Sequence, residues 1–296
     1  MPPSSAQAIE DMPAEVSGHE AVALAKEAYP AEVAELHRAK DPSPNYETRA
    51  SEQNPEDSLF QRIDSRLTEK IVVDQNMSPA SREQYRRMAA VLHDAHNTQG
   101  LQVVMVASAT ASEGKTLTAS NLALTFSESY QKRVLLIDAD LRRPTLHTVF
   151  RLDASMGLGD GLLSKTESKM LVRQVSPRLA VLPAGRPSSD PMAGLTSERM
   201  RHLIDEARQS FDWVIIDTPP VMLLPDAHLL ASMVQGVVMV VRAGATPYDL
   251  IKRAVDAIGR NRILGVVLNR ADSSAGSDEY NYYGYGEPGG SSQDRP

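Results

Sequence analysis

The stretch ASATASEGKTLTASNLA, residues 107–123, decides the fold. It leaves the apolar run LQVVMVAS (101–108) and enters a helical pattern, so Gly114-Lys115-Thr116 stands between a strand and the first turn of a helix. That is the setting a phosphate loop requires. The N–H groups of Ser112, Glu113, Gly114, Lys115, Thr116 and Leu117 can cradle phosphate oxygens there. The Lys115 ammonium reaches the β- and γ-phosphates, and the Thr116 hydroxyl ligates Mg²⁺. Ala109 stands where the full pattern has its first glycine.

Outward from that loop, VLLIDADLRRP (134–144) ends an apolar run with Asp138 and Asp140, two residues apart and so on one face of a strand. DWVIIDTPP (212–220) ends another with Asp217. Unpaired carboxylates gathered at strand tips repel one another and lose hydration, and a divalent cation relieves both costs. A nucleotide–Mg²⁺ site follows from the three aspartates and the lysine loop together.

The remaining strand candidates are 179–184, 236–243 and 263–270, with helices near 115–130, 196–210, 226–234 and 247–260. Near-continuous apolar strands alternating with helices predict an α/β fold, a doubly wound, mostly parallel sheet covered on both faces, with ligands beyond the carboxyl ends of its strands. Ahead of it, 81–96 reads as a helix with Ser81 as N-cap and Met88, Val91 and Leu92 on one face. Trp213 is expected at an edge of the sheet.

The chain of 296 residues carries a formal charge of −7. Residues 1–75 hold 15 acids against 7 Lys or Arg, which leaves the body near neutral and argues against nucleic-acid binding. Residues 1–58, acidic and proline-bearing, read as a disordered leader, 59–270 as the P-loop domain, and 271–296 as a flexible polar tail. There is no cysteine, which excludes disulfides and thiolate metal sites. No apolar run is long enough to span a membrane, so the expected location is the cytoplasm. Four of the nine tyrosines, Tyr280, Tyr282, Tyr283 and Tyr285, crowd into YNYYGYGEPGG (280–290), where glycine and acid cannot bury rings.

The run from about 81 to 285 resembles the bacterial protein-tyrosine kinases of the capsule and exopolysaccharide type. SATASEGKT stands as Walker A, LLIDADLRRP as Walker A′ and VIIDTPP as Walker B. GLGDGLL (157–163), LAVLPAGRPSSDPMAGL (179–195), ILGVVLN (263–269) and the tyrosine cluster complete the likeness. The resemblance implies ATP and Mg²⁺ as cofactors. Lys115 holds the phosphates, and Thr116, Asp140 and Asp217 hold the metal directly or through water. Asp138 is the base toward a tyrosine hydroxyl, Arg142 arranges the phosphate or acceptor side, and Asn269 contacts adenine. The tail tyrosines become autophosphorylation acceptors, labelled in trans within a homo-oligomer. The implied partners are a membrane adaptor of the polysaccharide co-polymerase type, which recruits the chain to the inner face of the membrane, and a cognate tyrosine phosphatase.

Three departures stand against the family pattern: the transmembrane part that some relatives carry is absent, as expected of the separate cytoplasmic kind that a membrane adaptor activates, and two others fall on single residues. Ser112 replaces a common glycine, which matters if that residue needs φ > 0. In the E-x-x-R-x-x-R oligomerisation helix, Glu83 and Arg86 are present, but Ala89 stands where the second arginine belongs. The alternatives are a partition or septum-positioning ATPase of related fold and a nucleotide-binding regulator without kinase activity. The first commonly has an extra lysine early in the loop and a basic or amphipathic C-terminal helix, and neither is present here.

Overall fold

The computed structural model describes residues 46–50, 59, 61–163, 170–186, 194–223 and 227–271. Its strands are β1 (Tyr46–Ala50), β2 (Val103–Ser108), β3 (Val134–Asp138), β4 (Met170–Ser176), β5 (Leu179–Leu182), β6 (Trp213–Asp217), β7 (Gly236–Arg242) and β8 (Ile263–Asn269). The helices are α1 (Pro79–Gln99), α2 (Lys115–Leu124), α3 (Leu146–Val149), α4 (Leu158–Leu163), α5 (Glu198–Ser210), α6 (Ala227–Ser232) and α7 (Tyr248–Ile258).

The strands form one eight-stranded sheet in the order β1-β4-β5-β3-β6-β2-β7-β8. Every neighbouring pair is parallel except β4 and β5, which form an antiparallel hairpin. Period-two alternation sorts the strand residues into two apolar layers. Met105, Ile137, Ile216 and Met239 face one layer, with Met200, Leu203 and Ile204 of α5 and Ala254 and Ile258 of α7. Val104, Leu136, Ile215 and Val240 face the other, with Ala89 and Leu92 of α1, Ala119 and Leu122 of α2, and Leu146 of α3. Helices on both faces explain why the central strands carry almost no polar residues.

Several local expectations are corrected. Tyr46–Ala50, placed by the sequence in a disordered leader, form a strand parallel to β4. Strand β4 itself was not legible, because Arg173 and Gln174 interrupt its apolar run. Ser78, not Ser81, caps α1: its side chain accepts the Ser81 N–H at 3.1 Å, and Pro79 follows at the first helical position. The buried face of α1 carries Ala89 and Leu92, whereas Val91 is 70% exposed. The helix after the phosphate loop is α-helical only to Leu124 and finishes in a π-turn over Thr125–Ser129, which sends Phe126 into the core. Trp213 is fully buried rather than at an edge, stacked on Phe126 with ring centroids 4.2 Å apart.

Among the described residues no helix is long and apolar enough to cross a membrane. The tyrosine cluster and the leader up to residue 45 lie outside the described residues.

Candidate nucleotide and phosphoryl-transfer site

The sheet order places the carboxyl ends of β2, β3 and β6 side by side, and each ends in site residues. Register pairs Asp138 of β3 directly with Asp217 of β6, so the two buried carboxyl groups are neighbours by construction. The loop leaving β2 crosses in front of them and starts α2 at Lys115.

Asp138 is held on three sides. One oxygen accepts the Asp140 N–H at 3.2 Å, and the other accepts the Thr145 and Leu146 N–H groups at 3.1 and 3.0 Å. It therefore anchors the start of α3. Burial, and next the charge of Asp217, push its carboxyl up to about 8 against those three donors. Burial also pushes Asp217 up to about 6, with Lys115 and the Thr116 hydroxyl pulling the other way. Asp140 accepts the Arg143 N–H at 3.0 Å.

Thr116 donates to Asp217 Oδ2 at 2.6 Å and accepts from the Thr145 hydroxyl at 3.0 Å. Asp217 Oδ1 is buried with no hydrogen-bond partner among the described residues. No group of three or more Asp, Glu, His or Cys side chains closes around a metal position among them. That suits Mg²⁺, which keeps water and phosphate oxygens and needs only one or two protein carboxylates. The orphaned Asp217 oxygen and the Thr116 hydroxyl are two oxygen donors of the kind such an ion takes.

The loop is shaped by backbone conformation. Ser112 has φ 64° and Gly114 φ 99°. A serine there pays the left-handed penalty that glycine avoids, so the sequence departure falls on a position where it matters. Ser112→Gly is expected to stabilise the chain by about 1 kcal/mol and to tighten nucleotide binding up to about fivefold. Thermal melts and a nucleotide titration check it.

Glu113 is buried and does not point at the phosphates. Its Oε2 accepts the Thr110 N–H at 2.7 Å, and its Oε1 accepts the Thr246 hydroxyl from the turn after β7. The Glu113 carbonyl accepts from Asn269 Nδ2 at 2.7 Å, at the tip of β8. The Asn269 amide lies so close to the loop that a β-carbon on Gly114 would meet it at 2.0 Å. Asn269 thus holds the loop, and Thr246 is a positioning residue that no local motif announced. Glu113→Gln and Thr246→Val are each expected to raise KM for ATP about tenfold with kcat within about twofold. The double variant should be little worse than either, since they share one bond; steady-state kinetics decide it.

The structure thus brings together Lys115, Thr116, Asp138, Asp140 and Asp217, and adds Thr145. Arg142 is exposed on the loop after β3. The side chain of Leu117 packs into the α1–α2 layer, leaving only its N–H to a ligand. Ala89 is turned into the core, so the outward face of α1 is made by the Glu83–Arg87 ion pair at 3.5 Å, with Arg86 and Val91 exposed.

Residues 104–283 match the family model of the CobQ/CobB/MinD/ParA nucleotide binding domain. The chain is 36% identical over 223 residues to the tyrosine-protein kinase YwqD of Bacillus subtilis (strain 168), covering 74% of this chain and 93% of that one. It is 33% identical over 177 residues to the succinoglycan biosynthesis transport protein ExoP of Rhizobium meliloti (strain 1021), covering 58% of this chain and 22% of ExoP. The kinase domain of the Escherichia coli tyrosine kinase ETK superposes with a TM-score of 0.63 at 28% identity, covering 86% of this chain and 97% of that one.

Proposed function

The chain belongs to the bacterial tyrosine-protein kinases built on the CobQ/CobB/MinD/ParA nucleotide-binding domain, and we propose that it uses ATP and Mg²⁺ to phosphorylate the C-terminal cluster Tyr280, Tyr282, Tyr283 and Tyr285 in trans. The observation that carries this reading is the Thr116–Asp217–Asp138 cluster, which gathers a hydroxyl, an unpartnered carboxylate oxygen and a carboxyl of raised proton affinity in front of one phosphate loop.

The N–H groups of the loop and the first turn of α2 receive the phosphates, and Lys115 pairs with the β- and γ-oxygens. Mg²⁺ would be held by Thr116, Asp140 and Asp217 with phosphate oxygens, and would neutralise the charge of the transferred group. A tyrosine oxygen forms its bond to the γ-phosphorus as the bond from phosphorus to the bridging oxygen breaks. The phenol, with an ordinary pKa of about 10, gives its proton to the carboxylate form of Asp138, which a divalent cation held by the neighbouring Asp217 would favour, and the N–H partners of Asp138 hold it in place. Arg142 supplies charge on the phosphate or acceptor side.

Neighbours in a homo-oligomer exchange tails, and the outward face of α1 is one contact surface. The likeness to a transport protein of succinoglycan biosynthesis supports a role in regulating exopolysaccharide or capsule synthesis and export. A membrane adaptor of the polysaccharide co-polymerase type recruits the chain from the cytoplasm to the inner face of the cell membrane, and a tyrosine phosphatase resets it.

The test is incubation of the purified chain with γ-labelled ATP and Mg²⁺, with phosphotyrosine read by mass spectrometry. Lys115→Ala and a chain ending at Ser277 run alongside. Label on residues 280–285, absent from both variants, is the expected result. ATP hydrolysis with no phosphotyrosine, even with an adaptor tail supplied, would overturn the proposal in favour of a positioning ATPase.

A further inference from the structure

Strand β8 is an edge of the sheet, and its outer residues are not those of an edge meant to stay bare. Leu264, Val266 and Leu268 are 44%, 60% and 60% exposed; Val266 and Leu268 share one face, whereas the register shift after Ile263 turns Leu264 to the other. Register sets Val266 beside Met239 and Leu268 beside Val241, so the stripe continues the core layer under α7 past the point where the helix covers it. Leu264 leans over Gly236, where an added β-carbon would meet its Cδ1 at 2.4 Å. An exposed apolar edge of this kind is a template for one more strand.

We propose that this edge is the docking strip for the chain's own unphosphorylated tyrosine segment, residues 278–286. Three observations favour that occupant. First, the tail leaves the sheet where the strip begins: β8 ends at Asn269, and Tyr280 lies eleven residues on, enough for a turn and an antiparallel return. Second, charges match. Residues 242–271 hold six Lys or Arg against two Asp, with Arg242, Lys252, Arg253 and Arg270 exposed, whereas residues 272–296 hold five acids against one Arg. A second copy of β8 would bring two such basic flanks together. Third, Tyr280 and Tyr282 are two apart, so on a returning strand both rings face one side, where Val266 and Leu268 offer apolar contact. The docked segment runs back along the edge, away from the phosphate loop, so the acceptor tyrosines are withheld until they leave. The withholding rests on the tail being the acceptor, but the docking does not.

Hydrogen exchange on the full chain without ATP separates the two. In the native chain the amides of 264–268 that point away from β7 are expected to exchange at least about tenfold more slowly than in Tyr280→Ser/Tyr282→Ser or in Val266→Lys, which alters only an exposed side chain. In a subsequent labelling assay, Val266→Lys should be phosphorylated faster than native. Equal exchange in all three chains would overturn the proposal. So would protection that survives the tyrosine substitutions and grows with protein concentration, which would put a second copy on the edge. A chain that never incorporates phosphate but keeps the exchange difference would sink the kinase reading of the tail and leave the docking intact.

Discussion

Asp217→Asn is expected to lower phosphotyrosine formation about a thousandfold and yet to melt at a higher temperature than the native chain above pH 6. The two effects have one cause. Asp217 is fully buried, faces Asp138 in register and leaves one oxygen without a partner, an arrangement fit for a cation and unfavourable without one. Its carboxyl is pushed up to about 6 from 3.8, so folding favours the protonated form. That contribution to stability is complete below the unfolded value and is lost as pH rises through about 6. An amide at 217 suffers no such loss and can still accept from Thr116, which leaves it ahead by on the order of 2 kcal/mol at pH 8 without metal. Mg²⁺ should restore the native chain above pH 6 and do little for the variant. Melts from pH 5 to 8, with and without Mg²⁺, read all of this. A variant less stable than native throughout would show that the carboxylate is satisfied in the folded chain.

Trp213→Ala should cost about 3–5 kcal/mol in denaturant unfolding, which for a chain of this size lowers Tm by on the order of 10 °C. Trp213 opens β6, wholly buried, stacked on Phe126 and 5.1 Å from the His96 ring of α1. It joins the π-turn, the sheet and the first helix in one aromatic contact. Its indole N–H has no partner among the described residues, so Trp213→Phe should lose well under half as much. Because Asp217 lies at the opposite end of β6, kinase activity of the alanine variant below its melting range should stay within about threefold of native. A drop of a hundredfold there would mean that the strand transmits strain to the site.

Strands 103–108, 134–138 and 213–217 were legible because both their faces are covered and burial on each side demands an unbroken apolar run; β8 was legible for its apolar run alone, although it is the exposed edge. β4 escaped because Arg173 and Gln174 break its apolar run, the arginine being accommodated by an ion pair to Asp153 at 3.0 Å. Lys115, Thr116, Asp138, Asp140 and Asp217 were readable because each belongs to a short local pattern. The support of the loop was not. Glu113, Thr246 and Asn269 come from segments far apart in the chain, and only the closed sheet makes them neighbours. In α1, Val91 has the greater hydrophobicity, but the narrow space against α2 takes Ala89, a choice made by packing rather than by composition.

The bond from Asn269 to Glu113 spans 156 residues. During synthesis the loop, its lysine and the first aspartates emerge early, and N-terminal parts of a chain fold first. Yet the amide that fixes the loop arrives with the last strand, immediately ahead of the tyrosines. A nascent chain therefore lacks this support for its loop until β8 is in place, so competence to bind ATP is expected to follow the folding of β8 rather than that of the loop itself.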